Sequence, residues 1–417
     1  MRKKTIYQFT SILTVILLLS QVDNATAQIS NKYPNDSLIQ NDPNVVFAEM
    51  FEHSSVNTMI SSTVPNYQTS SILSHIGFSN SVPLGSHGSQ SLKLTTVENS
   101  TASNDPSEDA NILKKFSTGI SDSVFVRYYA KFNNAHAFHH TGVWIGGTNP
   151  SNSCWPCNYP GRAIPASGDS AFVVGTEIRG AANISPQSFS KFGFYNYWLD
   201  MKGFTSGPAA GKYYGNEFIS PNSASSIDMN AWNCIEIMLK LNNPVSESTG
   251  ELKMWINGQL LAHYGKGFPN GTWSQATFNE GAGNPFDGFR WRSNPAVVFN
   301  YIWIKNYASD NTAYPTPNDV LYDHVIVAKK YIGPIYEPKT TGSIDNIKSS
   351  SAIILYPNPA TDIITFSKSI NHLIVFNTLG KNILTTRNVN SISLAEFPNG
   401  VYFIKADDGF HKIIVKH

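Results

Sequence analysis

Two stretches of this chain gather side chains able to move protons. In FGFYNYWLDMKGF, residues 192–204, alternation sets Tyr195, Tyr197 and Leu199 on one face of a strand and Phe194, Asn196 and Trp198 on the other. One face then presents two phenols while the other packs. In AFHHTGVW, residues 137–144, the same period groups His140, Gly142 and Trp144, an imidazole beside an indole platform. GTEIR, residues 175–179, adds Glu177 and Arg179 on one strand face, and FRWR, residues 289–292, adds Arg290 and Arg292. Together these groups suit the removal of a proton from a carbon next to a carboxylate. A cation neutralises the carboxylate, a tyrosine or histidine takes the proton, and a tyrosine or water protonates the leaving oxygen. His140, Tyr195 and Tyr197 are therefore the candidate catalytic residues, and Trp144, Glu177, Arg179, Arg290 and Arg292 the candidate substrate-binding ones. Plainer roles stand beside these. An exposed histidine is most often a loop residue, interface tyrosines satisfy their hydroxyls on backbone, and arginines pair with surface carboxylates.

Other chemistries find less support. No G-x-x-x-x-G-K-[ST] or G-x-G-x-x-G follows a strand pattern, and neither H-E-x-x-H nor an EF-hand loop occurs. No cofactor or metal is expected, although a calcium ion held by backbone carbonyls and one aspartate leaves no readable motif. Lys and Arg number 30 against 29 Asp and Glu, a balance that argues against nucleic acid or an acidic membrane surface as partner. Cys154 and Cys157 sit in SNSCWPCNYPG, which lacks both the helix of a redox C-x-x-C and the second ligand pair of a zinc site. A local disulfide between them is expected, with Cys234 an unpaired strand residue.

The elements that must position the candidates are strands. VFVRYYAKF puts Val124, Val126, Tyr128, Ala130 and Phe132 on one face and Phe125, Arg127, Tyr129 and Lys131 on the other. IEIMLKLN turns Ile235, Ile237, Leu239 and Leu241 inward. ELKMWINGQLL reads as a hairpin with a type I′ turn at Asn257-Gly258. AFVVGTEIRG, NYIWIKNY and YDHVIVAKKYIG add further strands bounded by Gly, Asn and Pro. Helical periods are short and marginal. The fold class expected is all-β: an antiparallel jelly-roll sandwich over residues 45–335, followed by a small C-terminal β-sandwich module. A polar leader precedes it at 28–44, and a linker at 336–351 separates it from the module at 352–417.

The two ends bear on where the chain works. Arg2, Lys3 and Lys4, the apolar run from Ile12 to Leu19 and Ala25-Thr26-Ala27 predict a signal peptide cleaved before Gln28, which takes the net charge from +1 to −1 by removing those three cations and Asp23. No later apolar run is long enough to span a bilayer. At the other end come Tyr356-Pro357-Asn358-Pro359-Ala360, Gly380-Lys381, Asn399-Gly400-Val401-Tyr402 and a basic finish from Lys412 to Lys416. Four motifs in this order resemble the C-terminal sorting domain of the type IX secretion system of Bacteroidetes. That resemblance implies export through the periplasm to the cell surface or medium, with the secretion machinery as a partner.

TGELKMWINGQLLAHY and the closing YDHVIVA resemble the strand–turn–strand and final-strand elements of concanavalin A-like lectin and glucanase jelly rolls, among which the chain is most similar to the polysaccharide lyases. Gly175-Thr176-Glu177-Ile178-Arg179 is similar to the R-T-E-L-R strand of alginate lyases, where such residues bind the uronate, with Gly175 in place of the first arginine. The E-x-D-x-x-E strand of the glucanases has no counterpart, which weakens hydrolysis. The resemblance implies a lyase of uronate-containing extracellular polysaccharides. The alternatives it leaves open are a non-catalytic carbohydrate-binding, lectin-like module and an adhesin.

Overall fold

The computed structural model describes residues 28–63, 66–96, 109–132, 138, 140–150, 163–179, 189–221, 226–229, 231–307, 318–337, 353–378, 381–406 and 409–417. Residues 1–27, where a signal peptide is expected, and Cys154 and Cys157 therefore lie outside the described residues. Residues 1–338 and 339–417 form two compact units.

In the first unit, alternating strands build two sheets. The eight-stranded sheet runs Gln259–Tyr264, Glu251–Ile256, Asn233–Lys240, Ser123–Phe132, Asn318–Ala328, Ser91–Thr96 and Ile76–Ser79, with Val45–Glu49 also pairing Asn318–Ala328. The closing YDHVIVA strand is thus central rather than peripheral. The eleven-stranded sheet runs Asn284–Pro285, Asn270–Ser274, Thr277–Glu280, Asn216–Phe218, Phe189–Tyr197, Ala171–Arg179, Gly142–Thr148, Val298–Tyr307, Asp109–Ile120 and Tyr67–Gln68, with Ser226–Asp228 also pairing Phe189–Tyr197. One pair, Asn216–Phe218 with Thr277–Glu280, is parallel. The all-β sandwich expected from the period-two pattern is the fold.

The inward residues of both sheets make one core. Val124, Val126, Tyr128, Ala130 and Phe132 join Ile235, Ile237 and Leu239 from the first sheet and Val143, Ile145, Val174, Phe192 and Ile304 from the second. Each Val, Ile, Leu or Phe side chain among them contributes roughly 1.5–3 kcal/mol when fully buried. Tyr128 Oη and Thr176 Oγ1 meet at 2.8 Å across the interface and satisfy each other there. At the predicted hairpin, Asn257 and Gly258 have φ of 51° and 81°, the two positive values that a type I′ turn requires.

The outward face of the eight-stranded sheet departs from expectation. Arg127, Glu236, Asp323 and His324 lie on it and are all buried. Residues 28–42, expected to be a polar leader, pack there as part of the unit. Ile29 and Ile39 meet Ile326, Ala328 and Ile332, and Ile29, Ser30 and Asn35 bond the backbone of Tyr331, Ile332 and Tyr336. Asp36 then receives Arg127 Nη2, and His324 Nδ1 lies 2.7 Å from the same carboxylate. Glu236 accepts the Ile332 and Gly333 amides at 2.7 and 2.8 Å. A fully buried arginine must be paired to be tolerated, and the segment supplies its partner.

In the second unit, Leu355–Tyr356, Ile363–Ile370 and Val389–Ser393 form one small sheet and Asn382–Thr386, Leu373–Asn377, Gly400–Ala406 and Gly409–Val415 another. Ile364, Phe366, Leu373, Val375, Ile404 and Ile413 share its core. The motif residues are its stitches. Asn358 donates to Lys412 O and accepts from Ile414 N at 3.0 and 2.9 Å, and Asn399 accepts from His417 N at 2.7 Å. Among the described residues no helix is long and apolar enough to cross a membrane.

Candidate functional site

Strand register brings the proton-transfer candidates together on the face of the eleven-stranded sheet turned away from the core. Val143 and Ile145 point inward, so Trp144 points outward. Across neighbouring strands Trp303, Trp144, Gly175 and Tyr195 form one row, and Tyr301, Gly146, Val173 and Tyr197 the next. Lys305 faces Gly142 one row further on. His140, two residues before Gly142, takes a left-handed φ of 51°. Its ring centroid lies 4.8 Å from Tyr195, 5.5 Å from Trp144 and 6.1 Å from Tyr307. Tyr195 lies 5.6 Å from Tyr197 and 6.0 Å from Trp144.

Gly175 explains how the cluster fits. A Cβ there would come within 2.8 Å of Trp144 Cε2 and 2.9 Å of Tyr195 O, so the indole packs directly against bare backbone. An arginine at this position, as in the R-T-E-L-R pattern, would displace the Trp144 ring.

The cation of the cluster is Lys305. Its Nζ sits 4.1 Å from the Trp303 ring centroid, 4.4 Å from Trp144 and 5.7 Å from Tyr307. With 6% of Lys305 exposed, this desolvated cation–π contact is worth about 2 kcal/mol. Asp109 faces Tyr307 in the adjoining strand. Burial raises its pKa, against the pull of Lys305 and the hydrogen bond donated by Asn111.

Exposure divides the members. Trp144 and Tyr197 are each 1% exposed and Tyr195 7%, while His140 is half-buried. Tyr197 therefore backs Tyr195 rather than facing solvent. The two arginines at 290 and 292 make their contacts elsewhere. Arg290 forms a two-pronged pair with Asp200 at 2.6 and 3.1 Å, the plainer role open to it. Arg292 is buried and donates to the carbonyls of Ser121, Pro295 and Val297, a brace for the 289–297 loop. Glu177 and Arg179 continue the strand past Gly175, paired in register with Gly193 and Lys191, and their side chains lie outside the described ones. Cys234 is buried with a free thiol.

Trp303, Lys305 and Tyr307 were missing from the sequence-derived candidates. Their signal was present, since alternation through NYIWIKNY puts Tyr301, Trp303, Lys305 and Tyr307 on one face. Among the described residues no group of three or more His, Cys, Asp or Glu could hold a metal.

Solved structures with a similar course of chain include an alginate lyase from Aplysia kurodai, 14% identical, covering 68% of this chain and 98% of that one with a TM-score of 0.46. An alginate lyase from a Chlorella virus is 11% identical, covering 69% and 100% at a TM-score of 0.45. An endo-β-1,4-glucuronan lyase from Trichoderma reesei is 15% identical, covering 61% and 87% at 0.35. No curated protein matches the chain. Residues 354–417 match the family described as a secretion system C-terminal sorting domain, and the second unit is that domain.

Proposed function

We propose that the sandwich is a lyase of uronate-containing extracellular polysaccharides. The observation that carries this reading is the convergence of His140, Tyr195 and Lys305 on one aromatic patch of the outer sheet face. Lys305 neutralises the uronate carboxylate, which acidifies the proton on the adjoining C5. His140, the half-buried member, or Tyr195 beside it takes that proton. The electrons of the C–H bond form the C4=C5 double bond as the C4–O bond breaks, and the other of the two groups, or water, protonates the leaving oxygen. Tyr197 and Trp144 hold Tyr195 and Lys305 in place from beneath. Glu177 and Arg179 would extend the grip on the polymer along the neighbouring strand. The sorting domain, with a cleaved N-terminal signal, would take the protein through type IX secretion to the cell surface or medium.

The test is incubation of the mature chain with a panel of polyuronides, following the ultraviolet absorbance of the unsaturated product. Tyr195→Phe and His140→Ala are each expected to lower the rate about 10²-fold or more with glycan affinity retained. A folded wild-type chain that releases no product from any polyuronide refutes lyase activity. The near-complete burial of Tyr197, a catalytic candidate, favours one second reading, a carbohydrate-binding module that holds the glycan without chemistry. It expects saturable binding that Tyr195→Phe leaves unchanged, without product.

A further inference from the structure

On the same outer face, the Asp109–Ile120 and Val298–Tyr307 strands fall out of register. Tyr301 pairs with Lys115 and Phe299 with Ile120, so the single residue Asn300 faces the four residues 116–119. A bulged run stands off the ladder, and bulges recur beside active sites because they open space and re-aim side chains. Here the bulge opens a cavity of about 220 Å3. Lys115, Ser117, Thr148 and Tyr301 give it polar lining, and Phe116 and Val298 apolar walls.

The recess is braced rather than slack. Asn300 accepts from the amide and hydroxyl of Thr148 at 3.1 and 3.2 Å, and its own amide lies 3.0 Å from both the carbonyl and the hydroxyl oxygen of Thr148. Residue 119 packs so tightly that a Cβ on it would lie 2.2 Å from Val298 Cγ2. The Tyr301 ring crosses Gly146, where a Cβ would meet its hydroxyl at 2.1 Å. Tyr301 also shares a row with Tyr197 and stands one row from Trp303. At ~3.4 Å per residue, the recess begins ~7 Å along the strand from Trp303 and ~14 Å from Lys305. It therefore continues the line of the candidate site, and it is smaller than the ~300 Å3 at which drug-sized pockets begin, suiting one sugar ring.

Building on the lyase reading, we propose that the recess beneath residues 116–119 is a second subsite for the uronate chain, in which Lys115 pairs with a carboxylate and Tyr301 and Val298 form the wall behind the ring. Lys115 is exposed at the rim of the recess, where a carboxylate bound within it comes into reach of the ammonium.

The experiment is calorimetric titration of the full mature chain with pentasaccharides of mannuronate, guluronate, glucuronate and galacturonate, and with carboxyl-reduced counterparts. Lys115→Ala, a rim substitution compatible with folding, is expected to weaken binding of at least one acidic pentasaccharide about three- to tenfold. Lys115→Arg should keep the affinity, and the reduced sugars should be indifferent to either change. Unchanged affinity in Lys115→Ala, an equal loss for the reduced sugars, or no binding of any acidic pentasaccharide overturns the subsite. The two readings fail separately. Product release with unchanged affinity sinks the subsite and leaves the lyase, whereas Lys115-dependent binding without product sinks the lyase and leaves the subsite.

Discussion

Replacing Asp36 with asparagine tests the buried face of the eight-stranded sheet most sharply. The side chains of Asp36 and Arg127 are both 0% exposed. Burial alone raises the Asp36 pKa, but the Arg127 charge and the bonds from His324 and Arg127 more than offset this and bring it to about 2, against an ordinary 3.8. That depression corresponds to roughly 2–3 kcal/mol of stability at neutral pH. Leaving Arg127 without its countercharge costs about 3–5 kcal/mol by comparison with other buried pairs, so the expected loss is about 2–5 kcal/mol. Asparagine suits the backbone, because residue 36 has a φ of 57° and asparagine tolerates that region. All eight tryptophans fall between residues 144 and 303, so their fluorescence reports the sandwich alone during urea unfolding. With an m value of about 3 kcal/mol/M, the midpoint should fall by roughly 0.7–1.7 M. Because the folded pKa lies below the unfolded one, the contribution is complete above about pH 4 and disappears as pH falls through about 2. The gap between wild type and Asp36→Asn should therefore close in acid. Adding Arg127→Met should recover part of the loss. A midpoint unchanged in Asp36→Asn, or costs of the two substitutions that simply add, would refute the pairing as the reason residues 28–42 stay down.

Three further outcomes are expected. Burial pushes Asp323 up to about 8 despite the His324 amide, so the folded state keeps a proton that the unfolded state releases. Stability should then be complete below about pH 4 and decline toward pH 8; urea midpoints should show a flatter decline in Asp323→Asn, and an identical slope would count against a protonated Asp323. Gly175→Ala should cost about 1–3 kcal/mol, since the new methyl meets both the Trp144 ring and a backbone oxygen. Thermal melting and near-ultraviolet dichroism would detect it, and a wild-type spectrum would show that the indole does not need bare backbone beneath it. Burial raises the Cys234 thiol to about 12, so a chromogenic disulfide reagent should leave Cys234 unmodified until denaturant is added; rapid native labelling at that residue would contradict its placement.

The sandwich was legible because its strands obey a period of two. Val124 to Phe132 and Ile235 to Leu241 fall inward as alternation predicts. Asn257-Gly258 marked its turn through the positive φ it needs. The convergence of His140, Trp144, Tyr195 and Tyr197 was legible only as separate faces. Alternation assigns a residue to a side of its own strand, whereas the row joining Trp144 to Tyr195 depends on the register of three strands. Lys305 escaped notice because one lysine in an aromatic strand looks like a solvated charge. Arg127 and residues 28–42 escaped for a related reason: polarity was taken to mean exposure. A short polar segment can bury itself when two isoleucines and one countercharge find their partners. The arginines of FRWR show the limit of residue type as a guide, since one pairs with Asp200 and the other braces a loop.

The clasp between the start and finish of the sandwich also sets an order of events. Asp36 reaches His324 across 288 positions of chain, and Ile29 and Asn35 bond Tyr331 and Tyr336. Contacts so distant in sequence close late, after the loop entropy of nearly the whole domain has been lost. A polypeptide emerging from the ribosome or a membrane channel with its amino end first cannot complete this domain until the last of these residues arrives. The sorting domain follows them in the chain, beyond the linker at 336–351. The residues that close the clasp therefore emerge before the sorting domain does, so all the chain the sandwich needs is present before its address is complete.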